Sequence, residues 1–67
     1  MSASRWYRAG GGEMRCYPTP SGSELYVRFR LGTGEWEYGR RPFGVYVAGG
    51  TAPLQRTARR LAEELRR

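Results

Sequence analysis

Residues 25–31 read LYVRFRL, and this alternation constrains the fold more than any other stretch of the chain. Side chains on a strand point to opposite faces in turn, so Leu25, Val27, Phe29 and Leu31 share one face while Tyr26, Arg28 and Arg30 share the other. The apolar set demands a core. Glu24 to Leu31 therefore reads as a strand, and Gly32-Thr33-Gly34 must turn it. With Gly32 opposite Glu35, Leu31 faces Trp36, Phe29 faces Tyr38 and Arg30 faces Glu37, whereas a slip of one residue sets Phe29 against Glu37 on the core face. A loop of two or four residues closing a hairpin from Glu24 to about Arg40 is expected.

Shorter elements flank this hairpin. Glu13 to Tyr17 is a candidate strand, ended by the turn formers Pro18 to Ser23. After Pro42, Phe43 to Ala48 supplies a further strand with Phe43, Val45 and Val47 on one face and Tyr46 on the other. Gly49-Gly50-Thr51 breaks the extended pattern, Thr51 suits a helix N-cap, and Pro53 is tolerated in a first turn. Leu54, Ala58, Leu61, Ala62 and Leu65 then fall on one face of a helix expected to run to the C-terminus, with Arg56, Arg59, Arg60, Arg66, Arg67, Glu63 and Glu64 on its far side. The expected fold is α+β: a small antiparallel sheet of three to four strands packed on one C-terminal amphipathic helix, spanning residues 13–67. Residues 1–12 place Arg5-Trp6-Tyr7-Arg8 before Gly10-Gly11-Gly12. They read as a flexible basic and aromatic arm with a glycine hinge, the alternative being an edge strand with Trp6 packed on the core.

At 67 residues the chain has room for one domain and a small core. Its single cysteine, Cys16, has no internal partner, which points to a reducing setting. No signal-peptide pattern begins the chain, and the apolar run Val45–Ala48 is too short to span a bilayer, so a soluble, cytoplasmic protein is expected. All 12 basic residues are arginine, all six acids are glutamate, and the net charge is +6. That balance favours polyanion partners, nucleic acid before anionic membrane. With no His, Asp or Lys, acid–base and nucleophilic chemistry has few candidates, so no enzyme activity, metal or cofactor is expected.

The sheet face opposite the helix is expected to lie open, carrying Tyr26, Arg28, Arg30 and Tyr46 with Arg15 or Tyr17, and with Arg40 or Arg41 at its rim. Arginine forks and tyrosine rings across an open sheet suit phosphates, guanine edges and base stacking. Glu35 and Glu37 share that face, and their pairing with Arg28 and Arg30 would instead make it an ordinary solvated surface. In the arm, Arg5, Arg8 and Trp6 suit a minor groove or a phosphate track.

The order of parts, with Leu25-Tyr26-Val27-Arg28-Phe29-Arg30 followed by Thr33-Gly34-Glu35-Trp36-Glu37-Tyr38-Gly39-Arg40-Arg41 and a closing helix, resembles the N-terminal arm-type DNA-binding domain of phage tyrosine recombinases. The resemblance implies a sheet in the major groove and an N-terminal tail in the minor groove, with Arg28 and Arg30 at the bases and Arg40 and Arg41 nearby. The segment Pro42 to Gly50 is longer than that pattern needs. The functional expectation is a small nucleic-acid-binding module, DNA ahead of RNA, from a bacterium, phage or mobile element. The alternative is a small inhibitor or adaptor that binds a larger nucleic-acid-processing or defence complex.

Overall fold

The computed structural model describes residues 5–17 and 23–65. Five strands form one antiparallel sheet in the order of the chain: β1 (Trp6–Arg8), β2 (Met14–Cys16), β3 (Glu24–Arg30), β4 (Glu35–Arg41) and β5 (Val47–Ala52). A single helix, α1 (Gln55–Glu64), packs across β3, β4 and β5. The α+β class holds, with a wider sheet than the three to four strands expected. No helix among the described residues is long and apolar enough to cross a membrane.

The extra strand comes from the segment read as an arm. Trp6, Tyr7 and Arg8 pair with Cys16, Arg15 and Met14. Gly10, Gly11 and Gly12 do not act as a hinge. All three take positive φ (84°, 61° and 77°), a backbone that glycine adopts without steric cost, and they bend the chain tightly between β1 and β2. The turn is closed by Ala9 N–H donating to Glu13 C=O at 2.9 Å and Glu13 N–H donating to Gly10 C=O at 3.0 Å. Trp6 repays the ordering by packing against the core, and its indole N–H donates to Glu63 on α1 at 2.9 Å. Residues 1–4 and the turn formers 18–22 lie outside the described residues, as do Arg66 and Arg67 at the expected end of the helix.

In the central hairpin the parity of the expected register holds and the pairs move by two. Phe29 faces Trp36, Arg28 faces Glu37 and Val27 faces Tyr38, around a four-residue turn at 31–34. A shift of two keeps every side chain on its own face, so apolar patterning alone does not distinguish these registers. The observed one joins the Phe29 and Trp36 rings at 5.3 Å and leaves Leu31 in the turn, 90% exposed.

The second half departs further from expectation. Pro42–Gly44 forms a short 3-10 turn with Phe43 at φ 54°, so Phe43 begins no strand and is fully exposed. β5 instead runs through Gly49-Gly50-Thr51, and Thr51 pairs with Glu37 rather than capping a helix. Glycines suit β5 and the facing part of β4 because neighbouring groups occupy the space of their missing side chains. A Cβ on Gly50 would lie 2.6 Å from the Tyr38 hydroxyl, and one on Gly39 would lie 2.2 Å from the Val47 carbonyl oxygen. The pairing shifts by a residue beside Tyr38 and Gly39, a β-bulge that lets β5 pass this close. Helix α1 starts after Leu54 without a side-chain cap. Its Ala58 and Ala62 are fully buried against Leu25, Val27, Ala52 and Cys16, with Trp6, Met14, Trp36, Tyr38, Leu61 and Leu65 packed around them. The alanines let the helix approach closely, so a narrow stripe covers the sheet.

Candidate functional site

The sheet face away from α1 carries the expected residues, and it is closed where it was expected to be open. Tyr26 stands opposite Gly39, and Tyr46, from the loop after the 3-10 turn, packs its ring against that of Tyr26. The two rings meet edge to face at 4.7 Å, and Tyr26 is completely buried. It therefore offers no ring for base stacking. Its hydroxyl donates to the Glu37 carboxylate. Burial, then this hydrogen bond and the adjacent negative charge, push the Tyr26 hydroxyl well above the ordinary tyrosine pKa.

The arginines of this face are bound to glutamates. Arg28 and Arg30 both pair with Glu37, at 3.2 and 3.4 Å. Arg15 pairs with the buried Glu13 at 3.0 Å, and the same carboxylate accepts the Tyr46 hydroxyl at 2.6 Å. Glu24 accepts from Arg41 and from the Tyr7 hydroxyl, each at 2.6 Å. That hydrogen bond to Glu24 is the chief cause holding the Tyr7 pKa above its ordinary value. The Tyr46 ring lies beneath two guanidinium groups, Arg28 at 4.0 Å and Arg41 at 4.8 Å. Four arginines (15, 28, 30 and 41) stand against four glutamates (13, 24, 35 and 37), so the charges that β2, β3 and β4 bring to this face, with Glu13, cancel.

The remaining site candidates lie elsewhere. Arg40 is on the helix side, opposite Leu25, and its guanidinium donates to the Leu65 carbonyl at the end of α1. A cation there satisfies an orphan carbonyl and opposes the helix dipole, so Arg40 serves the fold. Trp6 is half-buried in the core, with its indole committed to Glu63. Arg5 and Arg8 are exposed, with no ion pair among the described residues.

With those eight charges cancelling, the excess of +6 rests on eight arginines (5, 8, 40, 56, 59, 60, 66 and 67) and two glutamates (63 and 64). On α1, Arg56 and Arg60 are exposed one turn apart, without an ion pair among the described residues. Arg8 lies on the same side of the sheet. It lines a cleft of about 500 Å³ with Gly10, Gly11, Gly12, Met14, Trp36 and Gln55, the first residue of α1. Sequence reasoning placed Arg56 and Arg60 on the far side of the helix but gave them no role. A face-by-face count of Arg against Glu would have exposed the imbalance. Among the described residues no group of three or more Cys, His, Asp or Glu is placed to hold a metal ion. Comparison with protein families, curated proteins and solved structures finds no match for this chain.

Proposed function

We propose that this chain is a small nucleic-acid-binding module, DNA ahead of RNA, that contacts phosphates from its helix side. The observation that carries the reading is the separation of charge. Arginines on the polar sheet face are paired with glutamates, while Arg8, Arg56 and Arg60 are exposed and unpaired on the side that bears α1. Releasing an arginine from a carboxylate to reach a phosphate forfeits one charged contact for another, whereas an unpaired arginine loses only water and counterions. Phosphate binding therefore belongs where the cations are unpaired. The spacing of Arg56 and Arg60 puts both on one helical ridge, and Arg8 lies on the same side of the sheet, at a cleft it shares with Gln55.

Salt-dependent binding to generic duplex DNA tests this. Replacing Arg56 and Arg60 with alanine is expected to reduce the slope of log affinity against log salt by about 2, roughly 1 per phosphate contact. Replacing Arg28 and Arg30 is expected to leave that slope unchanged. A loss of slope in the second variant alone would return binding to the sheet face. A wild-type protein with no salt-dependent affinity for duplex or single-stranded nucleic acid would overturn the function itself.

A further inference from the structure

From Pro42 to Gln55 the sequence runs through fourteen residues without a charged side chain, although 27% of the chain is charged. The structure gives this segment one location. It forms the 3-10 turn, all of β5 and the approach to α1. β5 is the outermost strand, so the backbone groups along its outer side have no strand to pair with. Val47, Ala48, Gly49 and Thr51 are exposed. Of the seven exposed large apolar residues among those described, Phe43, Val45, Val47 and Leu54 belong to this one segment.

The opposite edge differs. β1 is only three residues long and has exposed arginines at its end and just before its start, two features that discourage edge pairing. β5 has six residues, no charge and no proline.

We propose that β5 is a self-association edge, where two copies of this chain pair antiparallel and join their sheets into one, with both helices on the same side. The segment is self-complementary. Pairing centred between Gly49 and Gly50 sets Val47 opposite Ala52 of the second copy and Val45 opposite its Leu54, and the reciprocal contacts repeat by symmetry. The bulge is consistent with this register: Val47, opposite Arg40, and Ala52, opposite Trp36, lie on the same side of the sheet, as directly opposed residues must. This self-complementarity makes a second copy the occupant, and charge permits it. Two molecules of net charge +6 repel over most of their surfaces, and this is the stretch along which they approach without setting arginine against arginine.

Sedimentation equilibrium of the full chain, without nucleic acid, tests the proposal separately from the binding function. The expected species has twice the 7.6 kDa chain mass. Val47→Lys with Thr51→Lys, at two exposed edge positions, should halve that mass while circular dichroism stays unchanged. Thr33→Lys in the opposite turn should leave the dimer intact. As a check that does not depend on tolerating charge, Ala48→Cys with Thr51→Cys should give a disulfide-linked dimer on oxidation, since these positions oppose each other in the paired edges. A wild-type chain that is monomeric at every concentration would overturn the proposal. So would a dimer indifferent to the lysines, or open-ended assemblies in place of a closed pair.

Discussion

The two faces of the sheet bury neighbouring residues by different physics. On the helix side, Leu25 and Val27 are fully buried by Ala58, Ala62, Ala52 and Cys16, an apolar packing that is non-directional and grows with the area removed from water. On the other side, Tyr26, between them in sequence, is buried as completely, but beneath Tyr46 and a set of arginine–glutamate pairs. Among the described residues one α-helix is available, and it covers one face. The other is closed by hydrogen bonds and ion pairs, whose contribution depends on every partner being present. The alternating stretch thus builds two cores, and the polar one engages three of the six glutamates, Glu13, Glu24 and Glu37.

Substitutions on the two faces should separate these physics. The largest effect is expected from Leu25→Ala, a fully buried leucine, at about 2–5 kcal/mol in equilibrium denaturation. On so small a core that loss can unfold the domain, and a change below about 0.5 kcal/mol would show that α1 does not pack on this face.

Tyr26→Phe keeps the ring and removes only the donor to Glu37, and should cost about 1.5–3 kcal/mol, the range for a hydrogen bond to a charged group. The same substitution carries a pH signature. The folded-state pKa of Tyr26 is raised above its unfolded value near 10, so the stabilisation is complete below that pH and is lost as pH rises through the folded value. Stability measured by denaturation should therefore fall less steeply with rising pH above about 10 in the phenylalanine variant than in the wild type. Tyr7 retains a smaller effect of the same sign through Glu24. Identical alkaline profiles would show that Tyr26 does not anchor the polar core.

The smallest effect is expected from Arg30→Ala. Arg30 is half-exposed and shares Glu37 with Arg28, so its removal should cost about 0–1 kcal/mol by the same denaturation assay. A loss as large as that of Tyr26→Phe would mean that the ion pairs, rather than the tyrosine, hold the polar face together.

Much of the architecture was legible in the chain. The alternation from Leu25 to Leu31 assigned faces correctly up to the turn, and the spacing of Ala58, Leu61, Ala62 and Leu65 marked the helix stripe, although Leu54, expected to begin it, precedes the helix and is exposed. These features are periodic, so local chemistry suffices to read them. The candidate site was less legible. The pattern placed Tyr26, Arg28 and Arg30 on one face, but whether that face is open depends on a loop from elsewhere. Tyr46 was read as the outward residue of a strand, whereas it lies in the loop that follows the left-handed backbone at Phe43 and packs against Tyr26.

Sequence by itself therefore determined the class of the fold, the side each residue of the central strand faces, the helix stripe and the net charge, all of which follow from composition and short-range periodicity. Tertiary structure decided the pairing register, since a shift of two preserves every face. It also decided the fate of Trp6–Arg8, whose three-residue strand gains order only by pairing with β2 and packing on the core. Above all it decided which arginines are paired. A guanidinium acts on whatever lies within a few ångströms, and the carboxylates that neutralise Arg15, Arg28, Arg30 and Arg41 are brought within that range by the folded sheet.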